Sequence, residues 1–210
     1  MSTTCVKRIT PRSCGAAFGT ALSLAGVSAL EMVDAAQPQA GDVVLVIGAT
    51  GGIGGVALQL LKIAGATSIA VTRSVNHEYA RSLGASETID YETQDVLEIV
   101  RTAYPGGIAA IFHLAGGNDE LIPLTALVSS GGHVVSMLRG ADAEALGARG
   151  VTGVNIGTQA TTPKLERLAA YVVAGQLRRP EIRTFSLDDA GQVLEEIAGH
   201  HVRGKLVVTP

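Results

Sequence analysis

The chain has 210 residues, of which 47% are apolar and 17% charged, and its net charge is −3. This length and composition predict one large globular domain and exclude wholesale disorder, because the apolar residues are numerous enough for a core. The nearly balanced charge, without long basic blocks, disfavours nucleic acid and membrane surfaces as partners. Two cysteines, Cys5 and Cys14, are too few for a disulfide framework and favour a reducing cytoplasm.

The first 34 residues form a leading segment that is open to two interpretations. Lys7, Arg8 and Arg12 precede an uncharged stretch over residues 13–30, which is the order found in a secretory signal. Serine, threonine and glycine dilute that stretch, however, and its apolar residues recur at helical spacing. We therefore favour a buried helix that ends near Asp34.

Beyond residue 42, apolar runs of strand length alternate with helical segments. The predicted strands are Val43–Ile47, Ser68–Val71, Thr88–Ile89, Ala109–Leu114, Gly132–Met137, Val151–Ile156 and Lys205–Val208. The predicted helices are Gly54–Ala64, Asn76–Leu83, Gln94–Ala103, Leu121–Val128, Pro163–Ala174 and Leu187–Ile197. Because the strands are continuously apolar, both faces of the sheet must be covered, which predicts the α/β class with a doubly wound parallel sheet.

A glycine-rich loop joins the first strand to the first helix of this pattern, and it reads Gly48-Ala49-Thr50-Gly51-Gly52-Ile53-Gly54-Gly55. Backbone N–H groups and the helix dipole converge at such a loop, and the missing side chains let a pyrophosphate approach. The flanking strand, helix and second strand complete the βαβ unit that the dinucleotide motif requires. The loop therefore predicts dinucleotide binding rather than a merely tight turn.

The residues after the second strand indicate which dinucleotide is bound. An NAD site usually places an acid there for the ribose diol, whereas this chain reads Val71-Thr72-Arg73-Ser74. Arg73 can pair with a 2′-phosphate, and the hydroxyl groups of Thr72 and Ser74 lie beside it in the sequence. NADP(H) is thus preferred over NAD(H), with a solvated surface arginine as the alternative.

Two classes of dehydrogenase carry a loop of this kind. The short-chain class needs a tyrosine followed by a lysine four residues later. The four tyrosines are Tyr79, Tyr91, Tyr104 and Tyr171, and the residues at that spacing are Leu83, Asp95, Ile108 and Gly175. None is lysine, which excludes that class.

Read as Ala49-x-Gly51-x-x-Gly54, the loop instead resembles that of the medium-chain dehydrogenase/reductase superfamily, in its zinc-free quinone oxidoreductase and enoyl reductase branch. The segments LGASETIDY, GGHVV and GKLVV, which begin at residues 83, 131 and 204, are also similar to elements of that family. The opening helix is similar to the family's segment that leads into the cofactor domain. The resemblance covers nearly the whole chain and implies a Rossmann fold with a flanking terminal helix and a closing strand.

The resemblance implies how the chain is divided and what it does. Residues 1–34 are expected to form the leading segment, 35–160 the NADP(H)-binding core, and 161–210 the last helices and strand of the same domain. Family members place a GroES-like catalytic barrel ahead of the cofactor domain, and we expect this chain to lack it. The implied function is hydride transfer from NADPH to a quinone or an enone. Two alternatives stay open, a non-catalytic dinucleotide-binding or sensing module and a truncated remnant without turnover.

The expected cofactor contacts fall into three groups. The pyrophosphate contacts are Ala49, Thr50, Gly51, Gly52, Ile53 and Gly54. The 2′-phosphate contacts are Thr72, Arg73, Ser74 and Tyr91, and Arg73 must carry more of the charge because Asn76 or His77 stands where the family often has lysine. The contacts on the nicotinamide side, at the carboxyl ends of the fourth and fifth strands, are Leu114, Ala115, Gly116, Ser136, Met137 and Leu138.

The remaining predictions concern the histidines, the edge strand and the exposed apolar surface. His113 stands where the family commonly has an acid, and a buried histidine with one backbone partner is favoured over a proton donor. Adjacent His200 and His201 cannot face one metal ion, so no metal site is predicted and no catalytic residue is assigned. The edge strand Val151 to Thr158 is expected to pair with its twin in a homodimer. Without a barrel, the opening helix and closing strand are expected to expose apolar surface or to find another partner.

Overall fold

The computed structural model describes residues 15–178, 181–199 and 202–209, with side chains from residue 22 onward. In these residues the helices are α1 Gly15–Ala36, α2 Gly54–Ala64, α3 His77–Ser82, α4 Val96–Ala103, α5 Asn118–Leu124, α6 Ala143–Gly147, α7 Thr162–Val173 and α8 Ala190–Ala198. The strands are β1 Val43–Ile47, β2 Thr67–Val71, β3 Glu87–Ile89, β4 Ile108–His113, β5 Val128–Ser136, β6 Thr152–Asn155, β7 Ile182–Ser186 and β8 Lys205–Thr209. The cysteines and the pair His200-His201 lie outside the described side chains.

The first six strands form one parallel sheet in the order β3-β2-β1-β4-β5-β6, which confirms the predicted doubly wound fold. Successive strand residues point to opposite faces, so each face contributes to its own core. On one side Val44 and Val46 pack with α1, α2 and α7, and on the other Leu45 packs with α4, α5 and α6. Burial on both faces explains why the strand sequences are continuously apolar.

Helix α1 is confirmed, and most of its described apolar side chains are buried, although Leu24 stays 60% exposed. Leu22, Val27, Leu30 and Met32 are buried, because the helix packs against α2, α7 and β5. Two ion pairs, Arg167 with Asp34 and Lys164 with Glu31, join α7 to α1. None of the described helices is both long and apolar enough to cross a bilayer.

The carboxy-terminal part differs most from the prediction. Strand β7 was missed because Ile182–Ser186 contains only two apolar residues and stays partly exposed. It pairs in parallel with β8 through the crossover helix α8, which gives the closing strand a partner within the chain. Helix α6, also missed, has five residues and is capped by Asp142, whose Oδ1 accepts hydrogen bonds from two backbone N–H groups.

The start of β5 and the end of the helix before it differ by several residues from the prediction. Strand β5 begins at Val128 instead of Gly132, because a register shift against β4 lets the polar segment 129–131 remain in the strand. The preceding helix accordingly ends at Leu124 and continues as one 3₁₀ turn, Thr125–Leu127. The division at residues 34 and 160 stays a prediction.

Replacing Leu30, which is 1% exposed, tests whether α1 is part of the core. We expect Leu30→Ala to lower the free energy of unfolding by about 3 kcal/mol, because the cavity left in a packed interface adds to the lost burial. The matched control is Leu24→Ala, six residues earlier on the same helix, where the side chain is 60% exposed. Urea unfolding followed by circular dichroism measures both, and equal losses would contradict the packing described.

Candidate functional site

A cavity of about 1260 Å³ lies at the carboxyl end of the sheet. The crossovers leave β1 and β4 as neighbours from which the chain winds in opposite directions, and ligands of such sheets bind at this switch point. The glycine loop after β1, the turns after β2 and β4, and the start of β8 line the cavity. The fold thus brings segments more than 150 residues apart in sequence to one place.

The glycine loop requires its glycines for close backbone contacts. Gly48 has a φ of 82°, and a Cβ there would lie 2.8 Å from the Cβ of Ala115. A Cβ at Gly54 would overlap the carbonyl oxygen of Gly48 and lie 2.7 Å from the backbone of Ala49. Helix α2 therefore begins directly against the end of β1, which aims its N-terminal dipole at the cavity.

Some N–H groups of this loop have no acceptor among the described residues. The backbone N–H groups of Thr50 and Ile53 donate no hydrogen bond there, and the residue before α2 provides no side-chain cap. Such groups at a helix N-terminus are satisfied by solvent or by an anion. The loop therefore has the donors that a pyrophosphate needs, and the predicted loop residues except the buried Ala49 line the cavity.

The turn after β2 forms one end of the cavity. Thr72, Arg73 and Tyr91 line it as the sequence predicts, and the buried hydroxyl groups of Thr72 and Thr50 are 2.8 Å apart. Asn76 lines it as well. The guanidinium of Arg73 has no ion pair or hydrogen bond among the described residues. The residues that the sequence predicts to contact a 2′-phosphate thus lie around the guanidinium of Arg73, which has no partner among the described residues.

Ser74 is the predicted residue at this end that does not line the cavity. Burial acts to raise the pKa of Asp90, but hydrogen bonds from Glu92, Ser74 and Thr93 outweigh it and hold that pKa below its usual value. Asp90 is therefore ionised, and it binds Ser74 by a hydrogen bond. Neither residue lines the cavity. The carboxylate of Asp90 anchors the turn that presents Arg73.

The turn after β4 and the segment after β5 supply the opposite wall. Leu114, Ala115, Gly116 and Leu138 line the cavity, as predicted. Met137 instead packs against the core, and Ser136 is fully buried, so neither lines the cavity.

His113 is buried, as expected, and both the hydroxyl group of Ser136 and the backbone carbonyl groups of Ala115 and Gly116 lie at its ring. Its Nδ1 lies 2.9 Å from Ser136 Oγ, and its Nε2 has no hydrogen bond among the described residues. Burial lowers the pKa of His113, although the carbonyl groups of Gly116 and Ala115 and the charge of Glu120 act in the opposite direction. The imidazole is therefore neutral near pH 7.

The start of β8 was not predicted to belong to the site. Gly204 donates its N–H to the carbonyl of Thr50 at 3.0 Å and forms a bridge with Gly51. The next residue, Lys205, lays its methylene chain over Gly52, where any Cβ would overlap it. Its ammonium group has no ion pair or hydrogen bond among the described residues. The motif GKLVV marked a strand, and nothing in it indicated that the lysine reaches the glycine loop.

The described residues contain no group of three or more histidine, cysteine, aspartate or glutamate side chains that could hold a metal ion. The parallel sheet of order β3-β2-β1-β4-β5-β6 with a glycine loop at its switch point instead defines the class of protein. It is a Rossmann-type dinucleotide-binding domain.

Comparison with known proteins places this domain in a family. The profile described as zinc-binding dehydrogenase matches residues 83–208, and the chain belongs to that family. Within the medium-chain dehydrogenase/reductase superfamily it falls in the quinone oxidoreductase-like branch, which confirms the resemblance seen in the sequence.

Individual relatives agree with this assignment. The chain is 32% identical over 187 residues to the mitochondrial NAD(P)H oxidoreductase RTN4IP1 of Mus musculus, covering 78% of this chain and 47% of that protein. It is 28% identical to a chloroplast envelope quinone oxidoreductase homolog of Arabidopsis thaliana, with 98% and 65% covered. The solved quinone oxidoreductase from Coxiella burnetii superposes with a TM-score of 0.80 at 32% identity, with 89% and 58% covered. The chain thus spans about half to two thirds of the length of these relatives.

Proposed function

We propose that the chain is the NADP(H)-binding domain of a quinone oxidoreductase-like reductase. The observation that carries this proposal is one cavity that combines free N–H groups of a helix-initiating glycine loop with two unpaired cations, Arg73 and Lys205. Relatives named as quinone and NAD(P)H oxidoreductases support the reaction type. Because the chain spans only part of their length, the activity and substrate of the whole protein belong to the proposal.

The residues present fit a dinucleotide at both of its charged groups. The N–H groups of Thr50 and Ile53 would bind the pyrophosphate, with the ammonium of Lys205 beside them. Arg73 would pair with the 2′-phosphate, in place of the lysine that the family often has nearby. Asp90, the nearest carboxylate after β3, hydrogen-bonds to Ser74 outside the cavity lining, so it leaves Arg73 free for that phosphate.

NADPH, when bound, supplies a hydride, and the protein has to hold the donor and the acceptor in position and exclude water. Leu114, Leu138 and Leu206 give the cavity apolar walls suited to that task. A quinone or an enone accepts hydride at carbon and develops charge on oxygen, which a protein stabilises with hydrogen-bond donors rather than with a dedicated acid. The role left to this chain is therefore binding and orientation.

Titration with NADPH and with NADH, by calorimetry on the purified chain, tests the proposed binding. We expect a micromolar dissociation constant for NADPH and weaker binding of NADH, because Arg73 has a partner only in the former. The absorbance of reduced nicotinamide is then followed with a simple quinone present. Binding with turnover supports the reductase, binding without turnover supports the sensing module, and no binding of either nucleotide overturns the proposal.

The two cations are expected to differ in their effects on these affinities. Arg73→Gln should weaken NADPH by about tenfold and leave NADH unchanged, since only the 2′-phosphate is lost as a partner. Lys205→Gln should weaken both nucleotides by a similar factor, since both contain the pyrophosphate. The matched control is Arg101→Gln on the exposed side of α4, outside the cavity, which should change neither. A loss confined to NADPH in Lys205→Gln would contradict the assignment of the lysine.

We also propose a homodimer formed through β6. This strand is the outer edge of the sheet, and its residues 152–155 are partly to fully exposed, so its backbone groups on one side lack a strand partner among the described residues. Edge strands of this kind pair readily with another chain. Sedimentation velocity at micromolar concentration should show a dimer, and Asn155→Pro, which removes a backbone donor on the side of β6 that faces away from β5, should shift it to monomer. A monomer in both cases would exclude this interface.

A further inference from the structure

The turn that leaves β5 is held by a single side-chain oxygen. Ser136 Oγ accepts hydrogen bonds from the backbone N–H groups of Leu138 and Gly140, both at 3.0 Å. It also lies 2.9 Å from Nδ1 of His113, which is its register partner on β4. One buried hydroxyl group thus joins the last residues of two neighbouring strands to the turn between β5 and α6.

Counting protons at this oxygen fixes the state of the histidine. A serine hydroxyl has one hydrogen to donate and two lone pairs to accept. The two N–H groups occupy both lone pairs, so the hydroxyl hydrogen must be donated to Nδ1. The ring of His113 is therefore neutral, with its own hydrogen on Nε2.

The imidazole of His113 is enclosed by the turn after β5 and by groups of the turn after β4. A Cβ at Gly140 would lie 3.0 Å from Nδ1 and 2.6 Å from Asn118 Oδ1, so the turn passes directly over the ring. Glu120 is the charged side chain that influences the ring electrostatically, and the carbonyl groups of Ala115 and Gly116 face it from the turn after β4. The side chain of His113 is 1% exposed, and the residue lies in the wall of the dinucleotide cavity.

Protonation of the ring is incompatible with this geometry. A charged imidazole carries a hydrogen on Nδ1 and points it at an oxygen whose lone pairs are both in use. Either Leu138 or Gly140 must then give up its hydrogen bond to Ser136. Leu138 lines the dinucleotide cavity, so the loss alters a wall of the binding site.

We propose that His113 is a positioning residue which, in its neutral form and through Ser136, holds the turn 137–140 in the conformation that binds the dinucleotide, and that protonation of its ring releases this turn. Acidification then weakens cofactor binding through the conformation of this turn. The binding part of this inference rests on the proposed dinucleotide function, whereas the structural part does not.

The first experiment uses the protein without any nucleotide. In ¹⁵N NMR spectra of the histidine rings, His113 is expected to show Nδ1 unprotonated and Nε2 protonated at about pH 8. As pH falls, the amides of Leu138 and Gly140 should lose protection from hydrogen exchange, after correction for the intrinsic exchange rate, together with titration of the ring. The Nδ1–H tautomer, or protection that persists while the ring becomes charged, would overturn the proposal.

The second experiment measures the affinity for NADP⁺, which survives acid better than NADPH. Between about pH 8 and about pH 5.5 the wild-type affinity should fall about fivefold more than that of His113→Asn, whose amide oxygen accepts from Ser136 but does not titrate. The ionisation of the ligand's own phosphate contributes equally to both proteins and cancels. His133→Asn, which removes a histidine of β5 outside the cavity, is the matched control and should retain the wild-type fall.

The outcomes separate the two proposals. If the wild-type protein does not bind NADP⁺ at about pH 8, the proposed function fails, and the exchange experiment still decides the role of His113. If binding is tight and falls equally in the wild type and His113→Asn, the positioning role fails and the function stands. Ser136→Ala provides a further check, since it should weaken binding at every pH and abolish the extra fall.

Discussion

The close approach of the glycine loop to the turn after β4 is the constraint on which the rest of the site depends. Gly48 and Gly54 let the end of β1, the start of α2 and Ala115 touch backbone to backbone. This contact directs the helix dipole and the free N–H groups into the cavity. A side chain at either glycine would push the three elements apart and separate the groups that the site has to combine.

The carboxy-terminal strands extend this constraint. Because β8 forms a bridge to the loop through Gly204, the last described strand fixes the position of Lys205 over Gly52. Strand β7 holds β8 in place, and Arg203 links both to α3 by an ion pair with Glu181 and a contact over the ring of Tyr79. The far end of the chain therefore contributes a charge to a site that the sequence locates near residue 50.

Polar groups buried beneath the cavity determine how its walls are held. Asp90 stays ionised because hydrogen bonds from its neighbours outweigh the effect of burial on its pKa, and it anchors the turn that carries Arg73. His113 stays neutral because burial lowers its pKa, and it anchors the turn that carries Leu138. One buried acid and one buried base thus fix opposite ends of the same cavity without lying in the contact surface as charged ligands.

The sequence by itself determined the sheet, the covering helices and the glycine loop, because apolar periodicity and glycine spacing are local properties of the chain. It also indicated Arg73 and Tyr91, since their place after a strand follows from the topology of the fold. It missed β7, whose five residues form a strand only by pairing with β8, and it missed Lys205, whose contact spans about 150 residues of sequence. The tertiary structure alone decided that His113 contacts Ser136 at the wall of the cavity, because strand register and side-chain direction arise only once the strands are packed.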